Sequence, residues 1–111
     1  MTDTDFVQTI LGECESIISC VENVQDMCEG NTLVLQFLAV EDFEQIRYDA
    51  EDLQTLVVQN ASNEDLENQS ITLYQSIKYT LEALEESIQD TDVLNEFAYI
   101  RAAVYVIRDT I

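Results

Sequence analysis

Histidine, proline and tryptophan are absent from this 111-residue sequence, glycine occurs twice, and lysine and arginine together occur four times. Without histidine the chain lacks the commonest general base and the commonest metal ligand. Ser-His-Asp and Cys-His nucleophilic chemistry are excluded on the same ground, as are the Glu-x-x-His pairs of di-iron bundles. Gly12 and Gly30 are too few and too far apart for a phosphate-cradling GxGxxG or GxxxxGK[ST] loop. Asp90-Thr91-Asp92 is followed by Val93-Leu94, not by the glycine a calcium loop needs. Glu85 and Glu86 are sequence neighbours and so diverge on a helix. Ser16 and Ser87 fall inside or near the end of expected helices, with no Asp-Ser-Leu to carry an acyl-carrier prosthetic group. The expectation is therefore no enzyme, no cofactor and no metal site.

The shortage of positive charge excludes a second set of functions. Arg47, Lys78, Arg101 and Arg108 cannot neutralise a phosphate backbone, so direct nucleic-acid binding is not expected. Anionic membrane surfaces are disfavoured for the same reason. The longest wholly apolar run, Ala102 to Ile107, is six residues, far short of the ~20 that cross a bilayer. The acidic start MTDTDFVQ has neither a basic nor an apolar signal region, so the expected location is cytoplasmic. Cys14, Cys20 and Cys28 share one expected helix. At ~1.5 Å rise per residue the outer two stand about 21 Å apart, beyond the ~7 Å that a disulfide spans. They read as reduced, buried thiols.

What is present is helical periodicity. Val7, Ile10, Cys14, Ile17, Val21, Val24 and Cys28 step by threes and fours, with Leu11 and Ile18 widening the face. Thr4 or Asp5 would cap the start, and Gly30 stands where a C-cap belongs. Asn31-Thr32 would cap a second helix. It runs through the stretch Leu33 to Val40, apolar but for Gln36, and along Ala39, Phe43, Ile46, Ala50, Leu53 and Val57, to end near Val58. Its opening could instead be a short strand; the unbroken pattern favours helix. Asn60-Ala61-Ser62-Asn63 is a loop, and Ser62 to Asp65 read as a capping box. The third helix carries Leu66, Leu73, Ile77, Leu81, Leu84 and Ile88. Gln69, Ser70 and Thr72 weaken its first half, which is expected to fray or begin late. Asp90-Thr91-Asp92 caps the fourth, which steps along Val93, Phe97, Ile100, Val104, Ile107 and Ile111.

Four such helices with short turns specify an all-α, single-domain, up-and-down bundle over residues 1–111. Tyr99, Ala102, Ala103, Tyr105 and Val106 make the last helix apolar nearly all round. Such a helix is either central to the bundle or shared with a second copy in a homodimer.

Twenty-three Asp and Glu give a formal net charge of −19. Ridges are expected from Glu15, Glu22, Asp26 and Glu29 on the first helix, and from Glu41, Asp42, Glu44, Asp49, Glu51 and Asp52 on the second. Glu82, Glu85 and Glu86 form another on the third. Like charges at i,i+4 cost roughly 0.2–0.5 kcal/mol each, so folding does not explain the excess. Helical ridges space carboxylates ~5–6 Å apart, comparable with phosphates along a strand. A rigid acidic bundle could therefore fill the basic groove of a nucleic-acid-handling protein. In size, charge and helicity the chain resembles the small acidic inhibitors among phage anti-restriction and anti-CRISPR proteins. No motif is shared, so no residue role is carried across, and a phage origin would put it in the host cytoplasm. A second explanation is an adaptor or assembly module that uses Tyr99, Arg101, Tyr105 and Arg108 as anchors. A third, adaptation to high salt, suits the lysine depletion but not the isoleucine, cysteine, asparagine and glutamine content.

Overall fold

The computed structural model describes residues 4–29, 40–86 and 88–111, and it is all helical over them. Helix α1 spans Thr4–Glu29, α2 Val40–Val58, α3 Asn63–Glu85 and α4 Thr91–Thr110. Each packs on its sequence neighbours and α4 closes the ring against α1. The result is a four-helix bundle measuring 48 × 19 × 19 Å. The expected Gly30 cap, the Asn31-Thr32 cap and the apolar stretch Leu33 to Ala39 lie outside the described residues. So do the side chains of Cys28, Glu29, Glu41 and Asp42.

The 3-4 seams become the core. Ile10, Cys14, Ile17, Val21 and Val24 of α1 are fully buried, as are Ile46, Ala50 and Leu53 of α2. Leu73 and Leu81 of α3 and Phe97, Ile100 and Ile107 of α4 complete the centre. Diagonally across it, the rings of Phe43 and Phe97 stand 6.0 Å apart at a 50° tilt, a favourable aromatic geometry. Cys14 and Cys20 are buried free thiols. Burial pushes both up to about 12, helped at Cys14 by the charges of Glu13 and Glu15 and at Cys20 by a hydrogen bond with Glu96. They stay protonated at neutral pH and are poor nucleophiles.

Local chemistry sets the turns. Asn60 adopts a left-handed φ of 58°. Its N–H reaches Val57 O at 3.1 Å, and Ala61 N–H reaches Leu56 O at 3.0 Å. This pair of bonds is a Schellman cap, in which asparagine takes the place usually held by glycine. Two residues later Ser62 Oγ accepts from Asp65 N–H at 3.2 Å and opens α3. Asp90 Oδ1 accepts from the N–H groups of Asp92 (2.9 Å) and Val93 (3.4 Å) to open α4.

Two expectations about helix starts need correction. Thr4 and Asp5 belong to the first turn of α1, not to a flanking cap. α3 does not begin late: it is helical from Asn63, with Leu66 and Ser70 buried. Ser70 supplies the missing step of the seam between Leu66 and Leu73. Its hydroxyl donates to Glu67 O at 2.8 Å and accepts from Arg108 Nη1 at 3.0 Å, so its burial costs little.

Candidate acidic interaction face

The exposed acids of α1 form the expected stripe: Glu15, Glu22 and Asp26 are solvent-facing. Glu15 leans toward α2, where Gln54 Nε2 donates to its Oε2 at 3.5 Å and to Leu11 O at 3.3 Å. One turn along from Glu22, Gln25 donates to Glu44 of α2. Glu51 follows Glu44 two turns later, half-buried. Glu15, Glu44 and Glu51 thus flank the α1–α2 seam, Glu15 also bordering the α1–α4 groove, and the seven-residue spacing puts Glu22 on the same face of α1 as Glu15. Arg47 sits among them, 2.5 Å from Glu44 and 3.6 Å from Glu51, with its guanidinium 5.0 Å from the centre of the Tyr48 ring. Hydrogen bonds from Arg47 and then Gln25 hold the Glu44 carboxyl below the usual carboxylate range.

Three expected ridge acids have other roles. Asp49 is 5% exposed and faces α3, not solvent. Its carboxylate accepts from Gln45 Nε2 at 2.9 Å and Ser76 Oγ at 2.6 Å, and its carbonyl accepts from Gln69 Nε2 at 2.9 Å. A buried carboxylate needs such partners, and here they cross-link α2 to α3. Glu44 is held by Arg47 and Gln25 as above. Glu85 pairs with Arg101 of α4, whereas Glu82, Glu86 and Asp52 are exposed.

The alternative anchors on α4 do not share one patch. Tyr99 faces the α1 side, where it lines a groove of about 560 Å³ with Ser16, Ser19, Cys20, Ala102 and Val106. Arg101 and Tyr105 face α3 beside Tyr74, Lys78 and Glu82. Tyr105 and Tyr74 rings are 6.2 Å apart, and Arg108 reaches the buried Ser70. The division follows from about 100° per residue: position 99 points almost opposite to 101 and 108 and about a third of a turn from 105. Arg101 and Arg108, expected as surface anchors, therefore have partners within the bundle.

A second groove, of about 720 Å³, runs along the α1–α2 seam between Leu11, Gly12, Glu15, Glu51, Gln54 and Val58. It is framed by residues flanking the core stripes, so the 3-4 spacing does not mark it. Gly12 in mid-helix is the one sequence signal that could have marked it. Among the described residues, no helix is long and apolar enough to cross a membrane. The fold and composition define a class: an acidic four-helix bundle. No protein-family model, curated protein or solved structure matches the chain.

Proposed function

We propose that the protein is a non-enzymatic inhibitor that occupies the basic groove of a nucleic-acid-handling protein and excludes DNA or RNA from it. One observation carries this reading: charge density. A net charge of −19 along 48 Å is one charge per about 2.5 Å, about two-thirds of the linear charge density of duplex DNA at one per ~1.7 Å. Supporting it, the polar contacts across the α1–α2 seam come from Gln25 and Gln54, which tie the helices together without neutralising them. A cleft of opposite sign would draw in such a rod rapidly and over long range.

The test is competition. Titrated into complexes of labelled duplex with a panel of basic DNA- and RNA-binding proteins, the chain should displace nucleic acid from its target. Displacement should weaken steeply as salt rises, and Glu15→Gln/Glu22→Gln/Glu51→Gln should blunt it. A partner bound with salt-indifferent affinity, its nucleic acid still in place, would overturn the proposal.

The second reading, a helical adaptor, is favoured by the exposure of Tyr99 (63%) and Val106 (40%) on the α1–α4 groove. A homodimer would use that same groove. In that case Tyr99→Ala would abolish binding or dimerisation and salt would not.

A further inference from the structure

Gly12 sits in the interior of a 26-residue helix. There glycine is less favourable than alanine, because its backbone has more freedom to lose. Nothing in the fold requires it. Its φ is not positive, and a Cβ built on it meets no atom within 4 Å. What a side chain would enter is the α1–α2 groove. Bare backbone at the wall of an open groove lets another molecule approach closely.

The groove itself describes that molecule. Half-buried Leu11 and the 70% exposed Val58 offer apolar contact on either side of Gly12. Glu15 and Glu51 stand on its rims. The nearby cation, Arg47, is already engaged with Glu44 and Glu51. A second copy of this chain would set acid rim against acid rim, and an anionic lipid surface would be repelled likewise. From this we infer that the α1–α2 groove is a docking site for a cationic amphipathic helix of a partner protein. Such a helix would place an apolar side chain over Gly12 and Lys or Arg one turn away on Glu15 and Glu51. The inference rests on the acidic-seam reading above and names the element of the partner that the seam receives.

The probe is a fluorescein-labelled helical peptide of about five turns, with Leu on one face and Lys on the other. Its control is a scrambled peptide of the same composition. The amphipathic peptide should bind the intact chain more tightly than the scrambled one. Gly12→Leu should weaken it by roughly tenfold, since filling the groove removes about one side chain's apolar contact. It should leave the scrambled peptide unaffected and the melting temperature unchanged or higher. Gly12→Ala, which cannot harm the helix, should give a smaller loss in the same direction. Glu15→Gln/Glu51→Gln should weaken both peptides. Equal binding of both peptides, or of the amphipathic peptide to wild type and Gly12→Leu, overturns the inference and leaves the acidic-field reading standing. If the Gly12 effect appears but no nucleic acid is displaced from any basic protein, the docking site holds and the mimic reading falls.

Discussion

The α1–α2 and α3–α4 seams are built from the same heptad spacing, yet they are finished with different polar chemistry. On the α3–α4 side Lys78, Arg101 and Arg108 lie among Glu82, Glu85, Ser70 and two tyrosines, so positive and negative charge interleave. On the α1–α2 side Glu44 and Glu51 share Arg47, Glu15 and Glu22 stand near them on α1, and among the described residues the cross-helix side-chain donors are the uncharged Gln25 and Gln54. Gln-to-carboxylate contacts hold two helices together while preserving the field, whereas Lys or Arg in the same places would cancel it. Arg101 and Arg108 are engaged between α3 and α4, whereas Gln25 and Gln54 bridge α1 and α2 without adding positive charge.

The largest perturbation tests whether both seams belong to one core. Phe97 of α4 meets Phe43 of α2 across the bundle diagonal, so Phe97→Ala should cost about 3–5 kcal/mol. Denaturant unfolding should remain a single transition; two separated transitions would mean that the seams are independent. Next in size is Asp49→Ala, which strands Ser76 and Gln45 at the α2–α3 interface. The expected cost is about 1–3 kcal/mol, and an effect near zero would show that Asp49 is not a structural tie. The thiols make a pH-dependent contribution. Their folded values are raised, so their contribution is complete below pH 9 and is lost as pH climbs toward about 12. Alkaline melts should show that decline and Cys14→Ala/Cys20→Ala should flatten it. In the native state both thiols should resist iodoacetamide, and fast labelling at neutral pH would contradict their burial.

Much of this organisation was legible in the residues. Every seam position of α1, α2 and α4 read from the 3-4 spacing, and described by the structure, is buried or packed on the core. Ser62 and Asp90 cap as their chemistry suggests, because capping depends on a few adjacent residues. Ser70 was illegible as core, since a hydroxyl in a seam is acceptable only if a distant partner satisfies it. That partner, Arg108, is 38 positions away in sequence. Asp49 misled for the same reason: its i−4 neighbour Gln45 is visible in sequence, but Gln69 and Ser76 come from another helix. The acidic stripe of α1 could be read from one helix. Its concentration against Glu44 and Glu51, and the division of Tyr99 from Arg101, Tyr105 and Arg108, needed the relative placement of helices. The groove beside Gly12 needed the same.

The smallest expected effect discriminates most sharply between the two seams. Raising ionic strength from about 0.01 M to about 0.1 M shortens the Debye length from about 30 Å to about 10 Å. A bundle with excess charge of one sign should therefore gain stability as its self-repulsion is screened. For a domain of this size roughly 1 kcal/mol moves the melting temperature by about 4–8 °C, so a rise of a few degrees is expected. If the repulsion is concentrated as described, Glu15→Gln/Glu22→Gln/Glu51→Gln should remove more of that salt response than Glu67→Gln/Glu82→Gln/Glu86→Gln. Both variants delete three charges, so net charge cannot distinguish them; only neighbourhood can. Glu82 has two cations, Lys78 and Arg101, beside it where Glu51 has one, Arg47, and Glu15 and Glu22 are exposed, so the second variant gives up more attraction with its repulsion. Equal salt responses from the two triple variants would dissolve the contrast between the seams. A melting temperature that falls with salt would show that internal ion pairs outweigh the repulsion.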